Sequence, residues 1–301
     1  IRIPDSVISI NNDAFYRCFK LMSISVSENN PSYSAVDGIL YDKSKENIIH
    51  VPKAIFGDIV IPNGVTKIGK NMFSSCSYLK SITIPDSVVS IDEEAFEFCI
   101  SLESINVSEN NPNYDSIGGI LYSKLENNII RAPRAISGRV TIPNGITSID
   151  SGAFGDCTGI ISIEIPDSVT TIDDGAFWGC SSLYVIYNNS NLEFMFGDHN
   201  RIAEYAKLIV EKNGYKRYKD ESSDFEYIDT TDGFFFMKEN GEYKLIAYLG
   251  NEDTVTLPND INGNIYTIYQ MRGVRNVIIP DGVTSIGDWA FYFCRTLTSI
   301  A

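Results

Sequence analysis

The dipeptide Ile-Pro returns along this chain at a fixed interval, and that interval constrains the fold more than any other feature. It stands at Ile3-Pro4, Ile61-Pro62, Ile84-Pro85, Ile142-Pro143, Ile165-Pro166 and Ile279-Pro280, with Leu257-Pro258 as a variant. Ile61 to Ile84 and Ile142 to Ile165 are steps of 23 residues, whereas Ile3, Ile84 and Ile165 are spaced by 81. A 23-residue unit therefore sits inside an 81-residue super-repeat. One such unit cannot bury its own apolar side chains, so copies must stack and share a core along one axis. Length alone suggests roughly two globular domains. The repeat instead predicts a single array over residues 1–301.

The unit from Ile84 to Val107 carries apolar residues at Val88, Ile91, Ala95, Phe96, Cys99, Leu102, Ile105 and Val107. The spacing Leu102-x-x-Ile105-x-Val107 alternates as a strand with one buried face does. Pro85 stops the strand because it has no N–H to give a ladder, and Asp86-Ser87 or Asn63-Gly64 supply turn residues. The segment Ala95 to Cys99 is too short for a free-standing helix and reads as a helical turn held by packing.

A second unit type occupies the rest of the super-repeat. The stretches Ser27–Pro62 and Ser108–Pro143 align one super-repeat apart, and each contains two strands joined by a polar turn. A third copy, DGFFFMKENGEYKLIAYL, has the hairpin dipeptide Asn240-Gly241. Gly38 to Gly119 is one super-repeat, but Gly119 to Gly233 is longer, and the surplus falls at about 189–224. This insertion reads as an amphipathic helix: Asp198 as cap, Ile202, Tyr205, Ala206 and Ile209 on one face, and Asn213-Gly214 as stop. The segment YQMRGVRNVIIP lacks the Ala-Phe-x-x-Cys element, so its rung should be shorter or distorted.

The motif IPDSVTTIDDGAFWGCSSLYVI, Ile165 to Ile186, resembles the BspA-like leucine-rich repeats of bacterial surface proteins. The resemblance covers nearly the whole chain outside the insertion, and its ENNPxYxxxxGILY segments are similar to inserts of that family. It implies a leucine-rich-repeat solenoid of the α/β class, β-rich with short helical turns, a right-handed curved array interrupted by one helical insertion. It implies an exported or cell-surface protein with protein-binding or adhesion roles toward a host, matrix or surface protein, and no shared catalytic residues. A carbohydrate-binding or enzyme-accessory module of a larger surface protein is the alternative, with a glycan as partner. The chain opens and closes inside a repeat, so a longer parent carrying the targeting signal is expected.

Composition narrows the partners. The formal charge of −15 opposes phosphate backbones, so nucleic acid is not expected. No apolar run approaches the roughly 18 residues of a membrane span. No phosphate loop, dinucleotide fingerprint or calcium-loop motif occurs, and no cofactor or metal is expected. Cys18, Cys76, Cys99, Cys157, Cys180 and Cys294 each follow a repeat proline at one constant spacing. One thiol per unit beside Ala-Phe reads as a small buried hydrophobe rather than a disulfide partner. His50 and His199 keep no company with a nucleophile and read as solvated. Asp92-Glu93-Glu94 and Asp173-Asp174 read as solvated turn charges.

Strand alternation also predicts a surface. Residues between the inward apolar positions should face solvent and align from rung to rung: Ser81 and Thr83, Ser104 and Asn106, Ser162 and Glu164, then Tyr184, Val185 and Tyr187. This stripe on the concave face is the expected ligand-binding surface. The tyrosines serve it either as interface anchors or as a cover for the base of the insertion.

Overall fold

The computed structural model describes residues 1–301 except 12–13, 195–201, 203, 215, 219–224, 231, 251, 272–273, 293 and 295–296. In chain order the strands begin β1 (Arg2–Ile3), β2 (Ser25–Val26), β3 (Tyr33–Val36), β4 (Ile39–Asp42), β5 (Ile48–His50), β6 (Phe56–Val60), β7 (Lys67–Ile68), β8 (Tyr78–Ile84), β9 (Ser90–Ile91) and β10 (Ser104–Val107). They continue β11 (Tyr114–Ile117), β12 (Ile120–Ser123), β13 (Asn128–Arg131), β14 (Ser137–Thr141), β15 (Ser148–Ile149), β16 (Gly159–Ile165), β17 (Thr171–Ile172), β18 (Val185–Asn188), β19 (Leu208–Glu211) and β20 (Lys216–Tyr218). They end β21 (Phe225–Asp229), β22 (Phe234–Glu239), β23 (Glu242–Tyr248), β24 (Thr254–Thr256), β25 (Tyr266–Ile268), β26 (Asn276–Ile278), β27 (Ser285–Ile286) and β28 (Ser299–Ile300). There is no helix among the described residues. Two compact units divide them, one of residues 1–136 with 147–154, the other of 137–146 with 155–301. Each is a β-rich solenoid of stacked coils.

In the first unit β6, β8 and β10 form a parallel sheet with Ile59, Ile82 and Ile105 in register. The chain turns at Pro62 and Pro85, where the N–H of Val65 and Val88 donates back to the proline carbonyl (3.4 and 3.3 Å). It then forms β7 and β9, which pair in parallel. Ile59, Ile82, Ile105, Val65, Val88, Phe73, Cys76 and Cys99 meet in one core. Sequence phase is thus spatial adjacency, as a solenoid requires.

The segment around Ala95-Phe96 makes single turns, with Ala95 N–H donating to Asp92 O (3.0 Å) and Glu97 N–H to Glu94 O (3.3 Å), and does not continue as a helix. Phe73 N–H donates to Ala95 O (2.9 Å) and Ser75 N–H to Glu97 O (2.7 Å), so these backbones bond between coils. The residue before each cysteine adopts a left-handed conformation at Arg17, Ser75, Phe98 and Asp156. That conformation is incompatible with a continuing right-handed helix.

The hairpin segments hold three strands rather than two. β3–β4–β5 and β11–β12–β13 are antiparallel, because the strand ahead of the glycine, Tyr33–Val36 or Tyr114–Ile117, joins each hairpin. Asn111, in the ENNP motif, is buried. Its side-chain amide donates to Pro85 O (2.7 Å) and Val88 O (3.0 Å) while its Oδ1 accepts from the N–H of Asn113 and Tyr114 (3.0 and 2.9 Å). Asn30, its equivalent in the preceding super-repeat, makes the same four bonds.

The second unit corrects the expected helical insertion. Within 189–224 the described residues include β19, paired in parallel with β18, and β20, antiparallel to β19. Leu208 stands opposite Val185 and Ile209 opposite Ile186, one repeat step apart. The insertion therefore contains a further coil, one that lacks both Ile-Pro and Ala-Phe-x-x-Cys. Ile202, Ala206 and Ile209 are buried, as the amphipathic pattern anticipated, but by coil packing. Gly214 belongs to the β19–β20 hairpin turn, its N–H donating to Glu211 O (2.7 Å), not to a helix stop. Asp198, His199 and the polar stretch after Tyr218 lie outside the described residues.

Farther on, β22 and β23 form the expected hairpin, with Asn240 and Gly241 both at positive φ (51° and 82°) as a type I′ turn demands. The shortened rung is present too. Lys67 pairs with Ser90 in the standard coil, whereas Thr267 pairs with Ser285, so the later coil closes over a shorter length of chain.

Candidate binding surface

In the first unit the outward positions form two rows across β6, β8 and β10. Asp58, Ser81 and Ser104 are register partners, as are Val60, Thr83 and Asn106. Ser81 Oγ donates to Asp58 Oδ1 (2.6 Å) and Asn106 Nδ2 to Ser104 Oγ (3.2 Å), so the rows are tied by hydrogen bonds along and between them. Val60 is 57% exposed; Phe56 and Tyr78, themselves register partners, are 63% exposed each. The face thus presents apolar and aromatic groups beside small polar ones. Its edge is set by the next hairpin: Ile105 N–H donates to Gly119 O (2.9 Å), and a Cβ on Gly119 would lie 2.8 Å from that of Ser104. Only glycine permits this approach, and its φ of +78° is one that glycine tolerates best.

In the second unit the outward rows are Arg139, Ser162, Val185 and Leu208, then Thr141, Glu164, Tyr187 and Val210. Here the expectation of a solvent-facing stripe is corrected. Ser162, Val185 and Leu208 are fully buried. Ile161, Val185 and Leu208 pack with Phe235, Ile246, Ala247 and Leu249 of the β22–β23 region, and Tyr184, Tyr187 and Val210 lie against that cluster. The cause is the hairpin sequence. Phe234 and Phe236 enter the neighbouring core with Leu245 and Tyr266, while Phe235 serves this one, so both faces of β22 are buried. A run of four apolar residues without alternation, Phe234 to Met237, is the signature of a strand covered on both sides, and it is the signal the sequence offers.

Glu164 remains partly exposed, ion-paired to Arg139 (3.0 Å) and accepting from Asn189 Nδ2 (3.2 Å). The Arg139 guanidinium also lies 5.0 Å from the Tyr187 ring centroid. Tyr184 hydrogen-bonds Gln270. These tyrosines cover a hairpin rather than the base of a helix. A cleft of about 530 Å³ adjoins Glu164, Asn189 and Lys212.

Four of the six cysteines are core residues, as expected, and Cys18 is not. Cys76, Cys99, Cys157 and Cys180 are fully buried, while Cys18 is exposed and Cys294 partly so. Cys99 Sγ donates to Phe73 O of the preceding coil (3.0 Å). Burial pushes the Cys76 thiol up to about 12, helped by Cys99, and the Cys99 thiol to about 11. The Cys180 thiol rises well above its ordinary value by the same desolvation. Protonated thiols of this kind are poor nucleophiles. His50 is not solvated as expected: it is half-buried with Phe15 at 4.7 Å, and burial, then Lys53, lowers its pKa to about 4. Among the described residues no three His, Cys, Asp or Glu side chains are grouped to hold a metal ion, and no helix is long and apolar enough to cross a membrane.

The model for the BspA type leucine rich repeat region matches the chain in six copies, over residues 1–55, 51–131, 135–199 and 253–301. A leucine-rich repeat protein from Eubacterium ventriosum is 18% identical, with 100% of this chain and 71% of that one covered and a TM-score of 0.49. A leucine rich cell surface protein from Faecalibacterium prausnitzii is 23% identical, with 99% and 77% covered and a TM-score of 0.44. The pneumococcal vaccine antigen PcpA is 15% identical, with 100% and 78% covered and a TM-score of 0.39. No curated protein matches the chain.

Proposed function

We propose that this chain, which belongs to the BspA-type leucine-rich-repeat family, is a non-catalytic scaffold of the bacterial cell surface or secreted space that binds another protein. The observation that carries the reading is the open face of β6, β8 and β10. There Phe56, Val60 and Tyr78 stand exposed beside Ser81, Thr83 and Asn106 on one parallel sheet. Aromatic groups on a preorganised platform are the usual anchors of protein interfaces. Of the expected stripe, Ser81, Thr83, Ser104 and Asn106 keep this role. Glu164 joins the neighbouring cleft, while Ser162, Tyr184 and Tyr187 serve internal packing. The glycan alternative is weakened by the same packing, since the Tyr187 ring leans on an apolar cluster and carries Arg139. Burial keeps the Cys76 and Cys99 thiols protonated, which supports a packing role for them rather than a nucleophilic one.

The test is photo-crosslinking from position 83 on bacterial-host co-cultures, with the captured protein then titrated against the purified chain. Tyr78→Ala and Thr83→Lys should each weaken binding by about tenfold or more, the cost of losing one interface anchor. Binding unchanged by both variants contradicts this face as the interface.

A further inference from the structure

A cleft of about 390 Å³ opens in the first unit where β9, β11, β12, β13 and β15 come together. Four carboxylates line it: Asp92, Glu93, Glu126 and Asp150. So does Asn128, which is only 6% exposed. The side-chain amide of Asn128 donates to both oxygens of Asp150 (2.8 and 2.7 Å), which fixes the orientation of the group. Among the described residues nothing donates to its Oδ1, although it is buried at the cleft. A buried acceptor without a donor is costly and is seldom left so. Arg131, the nearest cation along the strand, donates instead to the backbone carbonyls of Gly152 and Glu93 (2.8 Å each). The rim is apolar: Val89 is 53% and Leu125 73% exposed.

The first super-repeat provides an internal comparison. At its equivalent positions Asn11, Asn12, Lys45 and Gly69 stand where the cleft has Asp92, Glu93, Glu126 and Asp150, while Asn47 matches Asn128. The repeat framework therefore does not require the four carboxylates. A metal fits poorly, because no three of the described acidic groups converge as ligands. Acceptors spread along a cleft with an apolar lip suit a cation that is extended, carries several N–H donors and has an aliphatic stem.

We infer that the cleft is a receptor for an arginine side chain of a partner protein, held by Asp92, Glu126 and Asn128 Oδ1, with its methylenes against Val89 and Leu125. This rests on the protein-binding reading above and moves part of the contact away from the strand face. The experiment is an amide NMR titration of the ¹⁵N-labelled chain with the peptide Gly-Arg-Gly-Arg-Gly and its citrulline counterpart. Citrulline keeps the shape but loses the charge. The arginine peptide should shift the Asn128 side-chain amide and the Asn113 and Leu125 backbone amides saturably, and less at high salt. The citrulline peptide should not. The variant Asp92→Asn/Glu126→Lys, built from residues the first super-repeat already carries, should weaken arginine binding by about tenfold with the other amides unmoved.

Equal binding of the citrulline peptide, unchanged binding by the variant, or shifts elsewhere would overturn the inference. So would the same shifts produced by calcium chloride alone, which would mark a metal site. A partner protein that binds the double variant normally but loses affinity with Tyr78→Ala would overturn the cleft and leave the scaffold reading intact. Arginine binding at the cleft with the strand-face variants inert would do the reverse.

Discussion

Asn111 holds the carbonyl of Pro85, in the preceding coil, through its side-chain amide at 2.7 Å. The same amide reaches Val88 O, and its Oδ1 receives Asn113 and Tyr114. One buried side chain thereby closes the proline turn of one coil and starts the hairpin of the next. Asn111→Ala should cost roughly 3 kcal/mol, because four backbone groups lose partners in a site water cannot easily enter. Chemical denaturation measures this; a loss under about 0.5 kcal/mol, the range of an ordinary surface change, would show the bracket to be ornamental.

The thiols should differ by position. Native protein treated with an alkylating reagent should label Cys18 first and Cys294 next, with Cys76, Cys99, Cys157 and Cys180 protected by burial. The raised pKa values of Cys76, Cys99 and Cys180 add to the protection, since the thiolate is the reacting form. In denaturant all six should label. Mass spectrometry reads both states, and rapid native labelling of Cys99 would contradict the packing.

His50 should make the fold sensitive to mild acid. Its pKa in the folded chain is about 4, below the ordinary 6.5, so the fold favours the neutral ring. That contribution is present in full above pH 6.5. It is lost as the pH falls from 6.5 toward 4, where the unfolded chain takes up a proton that the folded one resists. Between neutral pH and the folded-state pKa, the Tm of the parent should therefore drop further than that of His50→Gln, in which the carboxylates titrate alike. Parallel curves would show that the ring is hydrated.

The two outward faces should answer a charge differently. Val185→Lys places an ammonium between packed layers and should cost about 3 kcal/mol or more. Thr83→Lys, on the open face, should stay within about 0.5 kcal/mol. Similar losses at both positions would mean that the sheet of the first unit is also covered.

Much of this is legible in the chain itself. Phase predicts the parallel coils, the burial of most of the cysteines and the shortened rung from Thr267 to Ser285. Three things are hidden. The tight segments near Ala95 resemble helix in composition, but the carbonyls of Ala95 and Glu97 accept from the preceding coil, and left-handed residues at Arg17, Ser75, Phe98 and Asp156 stop the turns from continuing. The coil ending in Leu208–Glu211 has lost its proline and cysteine, leaving Ile202, Ala206 and Ile209 to mimic a helical face. At Ser162 and Val185 alternation separates the inner from the outer face correctly. It cannot say that Phe235 and Ile246, far along the chain, cover the outer one. Asn111 and Asn128 also escape sequence reading, because a buried amide in a polar stretch looks like any turn residue until its partners are in place.

Methyl NOE spectroscopy on isoleucine-labelled protein reads directly whether residues one repeat apart in phase are neighbours in space. Stacked coils should give contacts joining Ile59 to Ile82, Ile82 to Ile105 and, across β18 and β19, Ile186 to Ile209. Absence of the Ile186–Ile209 contact, together with the short-range amide pattern of a helix over 202–209, would contradict the stacking.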